Sequence, residues 1–497
     1  MKPSYRDYVR VQAGRNPCLS GLVSFLSTGA YHPQLEKVNI YCLEHPARPD
    51  TTATVRRVSF DDCAVEVQRG RASGKCVRLT IFIEDVTPDL IEKFGALLDI
   101  DPMFFANYIS TSFEGMEEPL PPAMALFPTR MASSQMLHIH YQKVVDLQHQ
   151  SQDDSPAYHV FQNSNTVPRS ARRLLPMSGT EPGLIRGCCS ILLRTLSPLS
   201  WVCLVLVDST SLDAKMSKAP SEERSMHSDR IWPGPLKGGF EDFEKPISFT
   251  AFCSSVDEKQ FGSEWKNQSL LRVLLRYSLK PPPDFDPCQP SIISLGYYAL
   301  RTIAAEWMLY VRLLNSYLKH YEYSFHHTAR QPIEADLDDL QRWRRRCKQS
   351  SHKLRLVELF LDQQLSNLQL AKSGRKVNQY AVLRDDFRYL ASEVDLSCRY
   401  LELILPMAGT IVQLVDTRRS IKEAINVRYL TYVGLIFVPL TFVSGLFSMS
   451  DGFIPGQGNF WIYAAVAAPL LLIVLGSAIT FSLVGKRKYD AKDHCYC

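Results

Sequence analysis

An uncharged run near the end of the chain, from Tyr429 to Ser450, constrains the fold more than any other stretch. A helix rises about 1.5 Å per residue, so about 22 residues cross a hydrocarbon core of about 30 Å. A second apolar run, 460–485, follows a short polar gap, with Trp461 and Tyr463 at its start, where aromatic residues favour the membrane interface. We predict a transmembrane hairpin of two helices. The alternative, two buried helices of a soluble core, is disfavoured because neither run carries a polar stripe.

Basic residues lie on both sides of this hairpin, whereas its loop, 451–459, has Asp451 as its one charge. The basic residues are Arg418, Arg419, Lys422 and Arg428 before the first span, and Lys486, Arg487, Lys488 and Lys492 after the second. Because positively charged flanks stay in the cytoplasm, we expect both termini to be cytoplasmic and the loop to face outward. The expected localisation is that of a multi-pass protein of the plasma membrane.

Composition excludes several other classes of function. The formal net charge of the 497 residues is +5, and the positive residues gather partly at the membrane boundary, so no nucleic-acid partner is needed to explain them. The 13 cysteines show no paired metal-ligand spacing, and we expect reduced thiols in a largely cytosolic chain. No Gly-rich phosphate loop, Gly-x-Ser-x-Gly or His-Glu-x-x-His pattern is present, so we expect no enzymatic activity and no resident cofactor.

The segment 1–290 predicts a cytosolic α/β domain. Runs rich in β-branched residues predict strands at 37–42, 76–83 and 136–141, and a buried hairpin at 188–194 and 201–207. Thr87 and Pro88 predict a helix start, with Thr87 as the N-cap, and Asp101-Pro102 predicts a second, shorter helix. Two polar stretches, near 148–183 and 209–245, predict exposed insertions.

Two features of the soluble part could bind a ligand, but in both we favour a solvated surface. His138 and His140 share one face of a predicted strand, which makes a metal site conceivable, yet no third ligand is in view. The basic run 342–348 lies one or two helical turns from three acidic residues, Asp336, Asp338 and Asp339, which is typical of a solvated helix face.

The segment 291–428 predicts a helical stalk. Apolar residues at three-to-four spacing predict helices over 292–323 and 333–370, and a third helix begins near Asn378. Pro406 and Gly409 predict a kink or a restart in this third helix. From 410 to 447 only Pro439 interrupts it, and a helix of about 57 Å would be too long for the bilayer alone. The expected order is therefore domain, stalk, first span at 429–450, loop at 451–459, second span at 460–485 and tail at 486–497.

The segment Pro439–Ser450, PLTFVSGLFSMS, resembles the end of the first membrane helix of the CorA-type divalent-cation transporters. In that family a Pro-Leu-[Thr/Ser]-Phe-[Ile/Leu/Val]-x-Gly pattern leads into a Gly-Met-Asn triplet at the outer mouth. Here Ser448 and Ser450 replace the glycine and the asparagine, and Met449 is retained. The resemblance covers about 411–488. The rest of the chain resembles the family only in its order of elements, a cytosolic domain followed by long helices. It implies a CorA-like fold class: an α/β cytosolic domain, a long α-helical stalk and a two-helix transmembrane hairpin.

The resemblance also implies a function, which is passive transport of a divalent cation, chiefly Mg²⁺, through the pore of a homopentamer embedded in membrane lipid. The pore-lining positions that it implies are Val427, Leu430, Val438, Thr441 and Gly445, and the outer ion-binding ring is Ser448, Met449, Ser450 and Asp451. The family's cytoplasmic acidic site falls on Gln413, with Asp416 one turn further on. Two alternatives stay open. The hydroxyl groups of the first span could serve helix packing instead, and the chain could be a non-conducting membrane-anchored scaffold or sensor.

Overall fold

The computed structural model describes the chain in segments. They are residues 3–28, 39–46, 53–72, 76–109, 127–147, 160–162, 166–167, 169–177, 179–209, 212–213, 230–231, 234–235, 248–250, 269–283, 285–326, 334–371, 378–448, 461–462 and 464–477. The chain forms two compact units. The first comprises Met1–Tyr323 and Asp339–Leu403, and the second comprises Ser324–Asp338 and Ile404–Cys497.

A mixed β-sheet forms the centre of the first unit. Its strands are β1 (Asn39–Glu44), β2 (Thr54–Arg57), β3 (Arg78–Glu84), β4 (Met136–Asp146), β5 (Val160–Gln162), β6 (Ser170–Arg173), β7 (Pro182–Ser197), β8 (Ser200–Val207) and β11 (Gly234–Pro235). The order along the described sheet is β11-β4-β7-β8-β3-β1-β2, and β6 pairs with β7 and β5. Two further strands, β9 (Leu212–Asp213) and β10 (Arg230–Ile231), pair with each other.

The predicted strands and the buried hairpin are confirmed. All eight positions of β8 are buried, and β7 pairs with it in an antiparallel ladder. A continuous apolar run predicts this arrangement, because a strand covered on both faces has no solvent side to mark with polar residues. Strands β3 and β8 pair in parallel, with Arg78 opposite Trp201.

Short helices surround the sheet: α1 (Tyr5–Ala13), α2 (Ser20–Thr28), α3 (Phe60–Arg71), α4 (Pro88–Leu98), α5 (Pro102–Ile109) and α6 (Pro128–Ser133). Thr87 caps α4 as predicted, because its side chain accepts a hydrogen bond from the backbone N–H of Leu90. The helix α1 was not among the predicted elements. It is fixed by Tyr5, which packs over Gly95 and donates a hydrogen bond to the carbonyl of Ile100 at 2.7 Å.

Longer helices follow: α7 (Leu270–Ser278), α8 (Ile292–Leu295), α9 (Tyr297–His326), α10 (Glu334–Ala371) and α11 (Asn378–Phe447). Within the first unit, polar contacts join α10 to α11. Lys348 Nζ lies 3.0 Å from Glu402, and Glu358 lies 2.7 Å from Arg388 Nε. These contacts flank a buried apolar seam and set the register of the two helices.

The restart predicted at Pro406 and Gly409 is wrong, and the alternative that was predicted with it, a kink, stays a prediction. Helix α11 runs without interruption through Pro406 and Pro439 for 70 residues, which corresponds to about 105 Å. Leu401, Ile404 and Ala408 are buried on both sides of Pro406, so packing maintains the helix although one backbone hydrogen bond is missing.

The prediction of a solvated surface at His138 and His140 is also wrong. His138 and His140 are only 6% and 8% exposed, because α5 covers this face of β4 and the Phe104 ring lies 5.3 Å from that of His138. The solvated face predicted for the run 342–348 is confirmed in part. Arg344 and Lys348 are exposed and their charged ends reach Glu402, whereas Arg346 is buried. The insertion near 148–183 is not simply an exposed loop either, because it contains β5 and β6.

The second unit contains the carboxyl-terminal part of α11. Among the described residues, one helix is long and apolar enough to cross a membrane, the segment Tyr380–Phe447 within α11. A shorter apolar helix, α12 (Ala464–Ser477), lies within the predicted second span. The predicted loop 451–459, the tail 486–497, and Met449, Ser450 and Asp451 lie outside the described residues.

Candidate functional site

The predicted pore-lining residues share one face of α11. At 100° per residue, the positions 427, 430, 438, 441 and 445, together with Ser448 just past the helix end, fall within an arc of about 80°. Val427, Leu430 and Val438 are 62%, 72% and 68% exposed in the single chain. We call this set the pore face. The family resemblance assigned each of these residues separately, and the continuous helix α11 places them on one face.

The opposite side of the same helix is covered only in part. Val443 lies about 160° from Val427 around the helix axis and is only 3% exposed. Leu440 and Phe447, which flank it, are half-buried, whereas Tyr429 on the same side is 65% exposed. A single chain therefore leaves most of its apolar helix open, and the pore face is part of that open surface.

The hydroxyl groups of this segment bond to their own helix. Thr441 Oγ1 donates to the carbonyls of Phe437 and Val438, each at 2.9 Å, and Thr431 Oγ1 donates to Val427 O at 2.9 Å. Each donated proton is thereby satisfied within the helix, which apolar surroundings require. The lone pairs of Thr441 Oγ1 remain available, and they suit a cation or the water of its hydration shell.

On the helical stretch before the apolar segment, acidic residues and most basic residues lie on different faces. Asp416 and Glu423 fall within about 40° of Val427 around the axis, whereas Arg418, Lys422 and Arg428 lie on other sides of the helix. Arg419 lies beside this face and contacts Glu423 at 3.1 Å. The acidic side chains therefore share the pore face and most basic ones do not. Reasoning from the sequence noted Asp416 but missed Glu423, although counting residues at 100° would have found it.

The polar groups buried in the first unit do not form a metal centre. Among the described residues, no group of three His, Cys, Asp or Glu side chains could hold a metal ion. His138 Nδ1 lies 2.7 Å from Ser190 Oγ, and burial lowers the pKa of His138 to about 3. Arg169 is fully buried and pairs with Asp208 at 2.8 Å, while the hydroxyl of Tyr108 donates to the same carboxylate. Tyr108, Arg169 and Asp208 therefore bond to one another, whereas the buried Nε2 of His138 has no hydrogen-bond partner among the described residues.

Comparison with known proteins agrees with the predicted resemblance. Residues 270–487 match the sequence model of the family described as CorA-like Mg²⁺ transporter protein. No curated protein matches the sequence. Among solved structures, the full-length CmaX protein is 12% identical with a TM-score of 0.34, and the alignment covers 90% of this chain and 99% of that chain. The CorA magnesium transporter from Methanocaldococcus jannaschii is 13% identical with a TM-score of 0.33, covering 88% and 96%. TM-scores this low do not establish a shared arrangement of the whole chain.

The family match includes the pore face and spans rather less than half of the chain. Residues 270–487 are similar to that family, which confirms the resemblance recognised at Pro439–Ser450. The matching family is one of Mg²⁺ transporters, which agrees with the predicted class of protein. The α/β domain, the long helices and the long apolar helix agree with the predicted fold class.

Proposed function

We propose that this protein conducts divalent cations, chiefly Mg²⁺, passively across a membrane, through a pore that several copies of α11 enclose. One chain supplies one pore face and cannot enclose a path, so closed symmetry around an axis is required, and five copies are the family expectation. Mg²⁺ releases its water reluctantly, so a hydrated ion and a wall of hydroxyl oxygens are chemically compatible. An inside-negative potential favours entry of a divalent ion by about 4.6 kcal/mol per 100 mV.

The common face of the pore-lining positions carries this proposal. In the single chain that face presents large apolar side chains and a glycine to solvent, as most of the apolar segment does. In the proposed oligomer, Val427 and Leu430 form the narrow apolar gate, and Thr441 supplies oxygen further along. The acidic groups on the same face, Asp416 and Glu423, attract cations at the cytoplasmic end.

The proposed topology has two spans, α11 and the segment containing α12, with both termini in the cytoplasm and the plasma membrane as the location. The proposed outer ring consists of Ser448, Met449 and Ser450, with Asp451 just outside. Ser450 carries a hydroxyl where the family has an amide, which would widen the ring. This departure favours the alternative function, a non-conducting scaffold or sensor.

A pair of glycine substitutions separates the two functions. Gly445 on the pore face and Gly476 on α12 both have open space where a Cβ would lie, so each single chain accepts a side chain. We expect Gly445→Phe to block Mg²⁺ uptake by proteoliposomes, because the phenyl side chains of several copies would meet at the pore axis. Gly476→Phe should leave uptake within about twofold of the unmodified protein, because that position faces lipid in the proposed arrangement.

Both variants must retain the oligomeric state of the unmodified protein, as measured by native mass spectrometry in detergent. Equal uptake by the two variants in a conducting preparation would contradict the assignment of the pore face. A monodisperse monomer without any uptake would favour the scaffold.

A further inference from the structure

A second face of α11 lies opposite the pore face, just before and at the start of the apolar segment. At 100° per residue its members fall within an arc of about 120°, whose centre lies about 180° from that of the pore face. We call this set the basic face, and all its members are exposed: Arg418, Ile421, Lys422, Ile425, Arg428 and Tyr429. It interleaves three positive charges with apolar and aromatic side chains, a composition typical of a surface that meets lipid headgroups.

The side chain of Arg428 is directed towards the apolar segment rather than away from it. Its Nε donates to the hydroxyl of Tyr432 at 2.8 Å, and its guanidinium lies 5.4 Å from the centroid of the same ring. Tyr432 is four residues further along the helix, which is about 6 Å deeper in the proposed membrane. A contact through Nε leaves the two terminal nitrogens as a planar fork, and such a fork matches two oxygens of a phosphate.

The depths of the basic residues fit the headgroup layer in the proposed topology. Arg428 directly precedes the span that begins at Tyr429, whereas Lys422 and Arg418 lie about 10 and 16 Å from Tyr429 along the axis. Headgroups occupy about 5–8 Å beyond the hydrocarbon core on each side, and the long side chain of Lys422 reaches that layer. Arg418 lies outside the layer but about one Debye length from it, so its charge still attracts anionic lipids.

The proposed ring turns the basic face towards the lipid. In closed symmetry around a pore axis, the side of each helix opposite the pore face points away from the axis. Asp416 and Glu423 stay on the inner side, and Arg419, beside the pore face, contacts Glu423 at 3.1 Å. Deeper in the membrane the outer side is partly covered, at Val443, whereas every member of the basic face is exposed. The helix therefore presents negative charge to the pore and positive charge to the leaflet.

We propose that the basic face binds the headgroup of an anionic phospholipid in the cytoplasmic leaflet. Arg428 holds the phosphate through its terminal nitrogens, Lys422 pairs with the negative charge of the headgroup, and Arg418 adds longer-range attraction. The bound lipid fixes the rotation of α11 at the depth of the proposed gate, Val427 and Leu430. This inference rests on the ring and the topology of the proposed function.

Competition between two lipids tests this proposal on the full-length protein, without any measurement of transport. The protein in detergent is mixed with equal amounts of phosphatidylserine and phosphatidylcholine, and native mass spectrometry measures the ratio of the two lipids bound. We expect phosphatidylserine to be favoured at least about tenfold at low ionic strength, because each basic residue near the anionic headgroup contributes about fivefold to binding. The preference should fall at high salt. Equal retention of the two lipids would overturn the proposal.

Four variants locate the site on the helix. Lys422→Gln and Arg428→Gln should each lower the preference about fivefold, and Arg428→Lys, which keeps the charge but loses the fork, should lower it less. Arg419→Gln is the matched control, because Arg419 lies within one turn of Lys422 but beside the pore face. It should change the preference by about twofold or less. A loss in Arg419→Gln as large as that in Lys422→Gln would show attraction without a defined site and would overturn the proposal.

The same spectra report the oligomeric state of each variant. If Arg428→Gln does not assemble, Lys422→Gln decides, and an unchanged lipid preference there would overturn the proposal. Lipid retention and transport fail separately. A protein that retains phosphatidylserine through Lys422 and Arg428 but takes up no Mg²⁺ contradicts conduction and supports this inference. A protein that takes up Mg²⁺ without a lipid preference contradicts this inference alone.

Discussion

Buried imidazoles couple the stability of the first unit to pH. Burial lowers the pKa of His138 to about 3 and, with the charge of Arg78, that of His45 to about 4, and the pKa of His140 also falls well below its usual value. Between these values and 6.5, the unfolded chain binds protons that the folded chain does not. The Asp85 carboxyl, whose pKa burial raises to about 6, acts in the opposite direction below that pH. Burial also raises the pKa of the Glu306 carboxyl, which acts in the same direction as Asp85, so three groups oppose two.

We therefore expect the free energy of unfolding to fall as the pH falls from about 6.5 to 4, by roughly 1.4 kcal/mol per pH unit for each buried histidine. The measurement is the apparent melting temperature at pH 7.5, 6 and 5. The variant His138→Asn keeps a polar atom near Ser190 and removes one titrating group, so it should reduce the pH dependence. An identical pH dependence in this variant would exclude His138 as a contributor.

The residues of the outer mouth give a second prediction at this scale. Replacing Ser450 with Asn introduces the amide that the family carries, and we expect a several-fold increase in Mg²⁺ flux or affinity. Replacing Asp451 with Lys should suppress uptake, most strongly at low ionic strength, because the charge of an exposed ring is screened by salt. If neither substitution alters flux in a conducting preparation, the ring lies elsewhere.

At the scale of elements, strands and helices with a strong apolar periodicity could be predicted from the sequence. Strands that form because they pair with another strand could not. The strands β3, β4, β7 and β8 and the long helices follow strong apolar patterns, and all were predicted. The strands β5 and β6 were missed because a polar segment becomes a strand here by pairing with β7. The buried face of His138 and His140 was missed because nothing in an alternating strand reveals that a helix covers its polar side.

The candidate site was predictable to a different degree. The pore-face residues came from the family resemblance, and the geometry of one continuous helix then united them. Their exposure in the single chain could not be derived from the sequence, because it depends on what packs against the helix. The positions 449–451 remain predictions.

The charge pattern of α11 yields a prediction at the element scale. Asp416 lies on the pore face, so Asp416→Asn should reduce divalent-cation conductance several-fold more than Arg418→Gln, which alters the other side of the helix. The difference should shrink at high salt, because screening weakens exposed charges. Conductance in planar bilayers at two ionic strengths measures both effects. A larger effect of Arg418→Gln would show that the cytoplasmic path runs along another face.

At the scale of the whole molecule, the positive flanks of both spans determine the expected topology. A single cysteine introduced as Asp451→Cys in a background without other reactive thiols should react with an impermeant reagent from outside sealed cells. A cysteine in the tail, introduced as Asp493→Cys, should react only after permeabilisation. Equal labelling of the two positions from outside would contradict a hairpin with cytoplasmic ends.

The central claim is that copies of this chain conduct a divalent cation, and uptake of Mg²⁺ into liposomes containing the purified protein tests it most directly. With an inside-negative potassium diffusion potential, we expect uptake that exceeds that of protein-free liposomes, increases with the potential and requires no nucleotide. No uptake above protein-free liposomes at any potential, from an oligomeric and correctly inserted protein, would contradict conduction and leave the scaffold as the function of this fold.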